Sequence, residues 1–305
     1  MEEEGSGMSD RGTSLADRIK GGLYGVAVGD ALGGTTEFMS AKEIRRKYGY
    51  LTDIVGGGVW DLEPGEVTDD TMMTLCVAEG ILDCPDDPMA SIGKRFLAWY
   101  RSDPKDIGNI IRRAFARYDG HWFEAAFLAD QDLGRSAGNG SLMRCLPVAL
   151  AYADPDRVDR MSRMQSKMTH YDERCNEACG LYNRIALRLL NGEELHPALA
   201  AETQGTPYAS ALAEAPDCEP TGFVVDTLRW ALYCLQQGTG FADVVQRAAN
   251  LGGDSDTIGA IAGGLAGVYY GCAGIPAAYA DTILIKDRLD AVSERLTALR
   301  QAAAR

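Results

Sequence analysis

Zinc chemistry has little to work with in this sequence. Only three histidines occur, His121, His170 and His196, none paired at metal-ligand spacing, and the eight cysteines include no Cys-x-x-Cys pair. Thiols scattered in this way, several within apolar helical patterns, read as the reduced cysteines of a cytoplasmic protein, not as a disulfide framework. Basic charge is also short. The 30 Lys and Arg against 44 Asp and Glu give a formal net charge of -14 and a pI near 4.7. A general nucleic-acid binder shows a basic stripe, and an anionic membrane surface attracts cations, so the reading includes neither partner. Alternating strand-type runs are nearly absent, with residues 51–55 the one short candidate. The N-terminus is acidic and lacks the apolar stretch of a signal peptide. Residues 1–13 read as a flexible N-terminal tail, with Met8 as an alternative start and residues 1–7 as an added extension.

What is present is helical periodicity and a large apolar fraction. With 305 residues, 46% of them hydrophobic, the chain can bury a substantial core. The 3.6-residue template fits 14–32, 71–83, 90–100, 107–118, 142–153, 157–169, 172–191, 222–237, 242–250, 256–270 and 282–304. Gly, Pro and Asp clusters at 56–65, 84–88, 203–207 and 216–221 separate them. No fixed-period repeat and no dividing linker is visible, so residues 14–305 read as a single all-α domain whose loops carry the chemistry. Residues 257–280 carry no charge and are long enough to span a bilayer, but they are rich in Gly and Ala and broken by Pro276. A tightly packed central helix is the better account, with Gly259, Gly263 and Gly267 admitting a second backbone.

Two acidic segments share one grammar. Thr68-Asp69-Asp70-Thr71 follows a turn-rich stretch and opens an apolar helical pattern. Asp254-Ser255-Asp256-Thr257 follows Gly252-Gly253 and opens the small-residue helix. Either one alone is explained as first-turn acids on a helix dipole behind an N-cap. Together they offer four carboxylates and Thr hydroxyls, a hard-oxygen set suited to two divalent cations, Mg²⁺ or Mn²⁺. An EF-hand starting at Asp254 would need an acid where Leu265 stands, which excludes it. An aspartyl-nucleophile phosphatase wants a strand before the motif, whereas 244–250 reads as helix. A nucleotide-sugar transferase also uses Asp-x-Asp with Mn²⁺, normally on an α/β sheet, and stands as the runner-up chemistry.

Gly29-Asp30-Ala31-Leu32-Gly33-Gly34 is not a dinucleotide fingerprint, and helix capping and ligand approach both remain open for it. Gly138-Asn139-Gly140-Ser141 is a better anion cradle, placed ahead of an expected helix that carries Arg144, although Ser141 also suits an ordinary N-cap. His170 can contact ligand or simply pack.

In this order the motifs are highly specific as a set, and they resemble the ADP-ribosylglycohydrolase family, most closely its bacterial dinitrogenase reductase-activating branch. The carriers are Gly-Asp-Ala-Leu-Gly-x-x-x-Glu at 29–37, Thr-Asp-Asp-Thr at 68–71, Asp-Ile-Gly-Asn at 106–109 and Ala-Gly-Asn-Gly-Ser-Leu-Met-Arg at 137–144. Thr-His at 169–170, Gly-Phe-Val-Val-Asp-Thr-Leu at 222–228 and Gly-Gly-Asp-Ser-Asp-Thr-Ile-Gly-Ala at 252–260 complete it.

The resemblance implies an all-helical orthogonal bundle around a dinuclear centre. It implies Thr68, Asp69, Asp70, Asp254, Asp256 and Thr257 as metal ligands. Glu37, Asp69, Asp106 and Asp256 are implied as catalytic, with Glu37 beside the metals and ribose and Asp106 facing the scissile bond. Gly138, Asn139, Gly140 and Ser141 would cradle the phosphates, His170 would lie near the ribose, and Phe223 would stack on adenine where the branch commonly has Tyr. The implied reaction is metal-dependent cleavage of the N-glycosidic bond of ADP-ribosylated arginine on a protein, releasing ADP-ribose, by a monomer that takes neither nucleic acid nor membrane. Two alternatives keep the fold: hydrolysis of O-linked ADP-ribose (serine-linked or O-acetyl), or ADP-ribose binding without turnover.

Overall fold

The computed structural model describes residues 13–303. The expected tail therefore lies outside the described residues apart from Thr13, and so does Met8. Among the described residues the regular structure is helical, with three isolated β-bridges and no strand. The expected strand at 51–55 does not form. Leu51 instead exchanges both backbone hydrogen bonds with one side chain, Asn250, at 2.9 Å each. An asparagine amide thus takes the place of a ladder partner.

The helices are α1 Leu15–Gly33, α2 Ala41–Tyr48, α3 Asp69–Asp83, α4 Met89–Tyr100, α5 Asn109–Arg117, α6 Trp122–Leu133 and α7 Pro147–Ala151. They continue as α8 Pro155–Lys167, α9 Glu173–Leu190, α10 Leu195–Thr203, α11 Val224–Gln237 and α12 Phe241–Ala249. α13 Ser255–Tyr270, α14 Ala277–Thr282 and α15 Lys286–Ala303 close the chain. The expected helix at 282–304 forms as α15 but starts only at Lys286, since Thr282 ends α14. The expected helix at 142–153 shrinks to α7, because Leu142, Cys145 and Val148 form successive turns and Pro147 starts the helix proper.

α1 and α13 form the spine. Both are buried on every side along most of their length, which is why their sequences are apolar all round. They run antiparallel with backbones in contact: Gly25 faces Gly263, and a Cβ added at Gly29 would land on the Gly259 carbonyl. This is the close approach expected of the 259/263/267 glycines. α11, α12 and α9 pack on α13, while α15 and α3 pack on α1. No helix among the described residues is long and apolar enough to cross a membrane.

The antiparallel spine has one functional consequence. The C-terminal end of α1 lies against the N-terminal end of α13, where the Ser255 hydroxyl donates to the Gly33 carbonyl at 2.9 Å. α3 starts at the same end, since the Thr68 N–H and hydroxyl both reach Asp30 of α1. Three helix ends therefore converge on one point.

Candidate active site

The two acidic segments meet at that point. The Thr257 hydroxyl donates to Asp70 Oδ2 at 3.3 Å, joining the α13 segment to the α3 segment. One oxygen from each of Glu37, Asp254 and Asp256 lies within 4.8 Å of the other two, a spacing that suits a shared cation. Glu37 arrives on the turn after α1. That turn is zipped to the α13 loop: the Phe38 N–H donates to the Gly253 carbonyl (2.7 Å), and the Gly253 N–H donates to the Met39 carbonyl (2.9 Å).

Asp30 organises the α3 side from behind. Fully buried, it accepts from the Thr68 N–H (3.1 Å), the Thr68 hydroxyl (2.9 Å), the Thr71 N–H (3.1 Å) and the Thr71 hydroxyl. The Thr68 hydrogen is thereby directed away from the cleft; one lone pair caps the Asp70 N–H at 3.4 Å, which leaves the other for a cation. On the α13 side, the Asn139 amide donates to Asp254 Oδ2 at 2.5 Å. The Asp254 N–H is held by the Pro220 carbonyl at 2.9 Å.

The electrostatics follow from crowding. Burial pushes Glu37 up to about 8, with the Asp106 charge adding to it. Burial likewise raises Asp30 and Asp106 to about 6. Asp69, Asp70 and Asp256 are driven well above the carboxylate range, first by burial and then by the nearest carboxylate charges, Asp106, Asp30 and Glu37 respectively, and Asp254 is raised by burial. Among the described residues no ion pair reaches these buried acids: Arg112 lines the cleft and Arg144 lies within range of Asp69, but neither pairs with them, so most of their charge is uncompensated. Asp70 Oδ1 is buried with no hydrogen-bond partner. Hard oxygens, uncompensated charge and an orphaned carboxylate oxygen together fit divalent cations of the Mg²⁺/Mn²⁺ type.

A cleft of about 660 Å³ opens over these groups. Glu37, Asp69, Asp106, Gly138, Asn139, Gly140, His170, Asp254, Asp256 and Thr257 all line it. Asp106 reaches it from the loop before α5, where the Gly108 N–H donates to Asp69 Oδ2 at 3.3 Å. Thr68 and Asp70 lie just beneath the surface, both buried. Phe223 lines an adjoining cavity of about 500 Å³ with Arg135, Arg174, Ile110 and Gly138. The Arg174 guanidinium sits 5.2 Å from the Phe223 ring centre, and the Gly138–Phe223 bridge ties this wall to the glycine stretch.

Two expectations at the glycine stretch need correction. It does not open a helix, since turns follow it until Pro147, so no helix dipole points from it. The Ser141 side chain faces inward, fully buried, with its hydroxyl 2.8 Å from that of Ser166, and does not line the cleft. Arg144 also turns inward. It is fully buried 4.4 Å from the Phe96 ring centre and donates to Gln165 and Thr169.

Arg144 acts on the cleft through its neighbours. Its Nη2 donates to Thr169 Oγ1 at 2.8 Å, and that oxygen lies 2.8 Å from His170 Nδ1. A hydroxyl that accepts from a permanently protonated guanidinium keeps its own hydrogen for Nδ1. His170 is then neutral, its pKa lowered to about 3 by burial and the Arg144 charge, with the hydrogen on Nε2. Nε2 faces Gly138 and Gly140, so the ring offers a donor to the cleft wall.

Sequence reasoning missed Asp30, Trp60 and Arg174. Asp30 had a signal, a carboxylate inside an apolar helix. The other two had none: loop folding brings Trp60 to the cleft, and the packing of α9 brings Arg174 to the adjoining cavity.

The sequence model of the ADP-ribosylglycohydrolase family matches residues 11–305. The chain is 35% identical over 282 residues to an ADP-ribosyl-(dinitrogen reductase) glycohydrolase of Rhodospirillum rubrum, covering 90% of this chain and 93% of that protein. It is 30% identical over 296 residues to ADP-ribosylarginine hydrolase Tri1 of Serratia proteamaculans, covering 92% and 79%. A solved ADP-ribosylglycohydrolase-related protein complex superposes with a TM-score of 0.81 at 33% identity, covering 94% of this chain and 99% of that one.

Proposed function

The chain belongs to the ADP-ribosylglycohydrolase family, and from that premise we propose that it hydrolyses the N-glycosidic bond of ADP-ribosylated arginine and releases ADP-ribose. The single observation that carries the reading is the meeting of the two acidic segments at the Thr257–Asp70 hydrogen bond, beneath a cleft of about 660 Å³. Relatives named for arginine-linked and dinitrogen-reductase-linked ADP-ribose support the choice of linkage.

Two divalent cations, Mg²⁺ or Mn²⁺, would be held by Thr68, Asp69, Asp70, Asp254, Asp256 and Thr257, with Glu37 joining the set. When bound, they supply charge that orients the ribose hydroxyls and acidifies water. The remaining work falls to the chain itself. Phe223 and Arg174 flank the adenine, and the Gly138 and Gly140 N–H groups with His170 Nε2–H take the phosphates and adjoining ribose, while the Asn139 N–H is held by the Gly222 carbonyl. The distal ribose then lies over the carboxylates.

In the reaction a water oxygen bonds to the anomeric carbon as the bond from that carbon to the guanidine nitrogen breaks. One water proton passes to a carboxylate and from there to the leaving guanidine. Glu37 is placed to take that proton, and Asp106 to pair with the guanidinium. The catalytic unit is residues 14–305, acting as a cytoplasmic monomer whose cysteines, all free in the structure, stay reduced.

A linkage-defined hydrolysis panel tests this. Arginine-linked ADP-ribosyl peptide should release ADP-ribose with Mn²⁺ or Mg²⁺ and stop releasing it with chelator. Release from serine-linked peptide alone, or full activity in chelator, would overturn the reading.

A further inference from the structure

The rim of the cleft beside Glu37 carries two aromatic rings that the core does not use. Phe38 is 66% exposed, although it directly follows the buried Glu37. Its φ is 60°, a left-handed conformation that glycine adopts freely and a bulky residue adopts only under constraint. The constraint is the pair of hydrogen bonds to Gly253 described above. Its effect is to send Glu37 inward and the Phe38 ring out to the rim. A strained aromatic held at a cleft mouth calls for a use.

Trp60 stands against it edge-to-face, with ring centres 6.5 Å apart and planes at 65°. Its indole N–H donates to Glu37 Oε2 at 2.5 Å. The loop that carries it is closed by paired Gly57–Leu62 backbone bonds of 2.7 and 2.9 Å, so the ring is fixed in place. Both rings line the cleft that contains Asp69, Asp106, Asp254 and Asp256. The nucleotide end is elsewhere, at Phe223 and the Gly138–Gly140 stretch. With ADP-ribose laid from there to the carboxylates, the group to be released comes out between Phe38, Trp60 and Asp106.

Aromatic faces beside carboxylates favour a cation over a neutral hydroxyl or ester. Guanidinium suits them best, being planar, weakly hydrated and able to stack while its N–H groups pair with carboxylate. We propose that Phe38 and Trp60 form an acceptor subsite that stacks the arginine guanidinium and so selects arginine-linked over hydroxyl-linked ADP-ribose. This rests on the reading of the chain as a hydrolase of arginine-linked ADP-ribose.

The test compares full-length wild type with Phe38→Leu, which keeps apolar bulk but loses the π face, and Phe38→Tyr, which keeps the face. With arginine-linked peptide, Phe38→Leu should lose about 3- to 10-fold in kcat/KM, and Phe38→Tyr should stay within about twofold. Agmatine binding to the ADP-ribose complex, measured by calorimetry, should weaken by the same factor in Phe38→Leu alone. ADP-ribose affinity should match across all three proteins. Equal agmatine binding by wild type and Phe38→Leu, or a parallel loss of ADP-ribose affinity, would overturn the proposal. If wild type cleaves only serine-linked peptide, the functional reading and the selection of linkage both fail, while agmatine binding still decides whether the rings hold a guanidinium: loss in Phe38→Leu supports that, and no binding by wild type overturns it.

Discussion

The segments 68–71 and 254–257 share a pattern of acids and threonines at a helix start, yet the fold holds them in different ways. The α3 segment is built like a stable helix start. The Thr68 side chain caps it, and the buried Asp30 gathers four hydrogen bonds from Thr68 and Thr71. The α13 segment has no side-chain cap on Asp254. It is aimed instead by two left-handed glycines, Gly252 and Gly253, which lie so close to the Met39 and Pro220 carbonyls that no Cβ fits, and by the Asn139 amide. One half of the site is fixed by a charge behind it and the other by loops around it. In both segments, groups outside the helix dictate the direction of the helix-start acids.

The largest effect should come from removing a carboxylate of either half. Asp70→Ala and Asp256→Ala should each lower kcat/KM for arginine-linked peptide by roughly a thousand-fold, because a bound cation contributes several kcal/mol to the transition state. Full activity in either variant would show that one segment suffices and that the two halves do not form one site. Next, the supports should rank by charge. Asp30→Asn places an amide donor among four donors and should weaken Mn²⁺ binding about 10- to 100-fold by calorimetric titration. Asn139→Ala should weaken it about tenfold, since the backbone bond to Pro220 still aims Asp254. The reverse ranking would mean that the loop-held half is the anchored one.

The smallest effect is on stability. The cleft carboxylates titrate above their ordinary range and together outweigh the single lowered His170, so between about pH 4 and pH 8 these groups bind more protons in the metal-free folded chain than in the unfolded chain. Stability therefore falls as pH rises through that window. Mn²⁺ replaces the protons, so it should raise Tm by roughly 5 °C more at the top of the window than at the bottom, read by differential scanning calorimetry. Equal shifts at both ends would mean that the ion binds away from these acids.

How much of this could be read from the sequence divides along physical lines. Helices with an apolar face or an apolar girth, such as α1, α3, α9 and α13, announce themselves by period. α2 buries only Ile44, α6 exposes Phe123, Phe127 and Leu128, and α10 carries Pro197 in its first turn, so none of these shows a clean stripe. The site residues at helix starts were legible because their grammar repeats. Ser141 and Arg144 misled because a glycine stretch before an apolar run reads as a helix start, whereas Pro147 moves the start downstream. Asp30, Trp60 and Arg174 depend on packing between segments remote in sequence, which no local pattern encodes.

The central claim is that the two segments make one metal centre. Anomalous diffraction from a crystal soaked in Mn²⁺ tests it most directly. The account predicts manganese peaks coordinated by carboxylates from both segments, Asp69 or Asp70 together with Asp254 or Asp256. Manganese bound by one segment alone, or absent from the cleft, would contradict it.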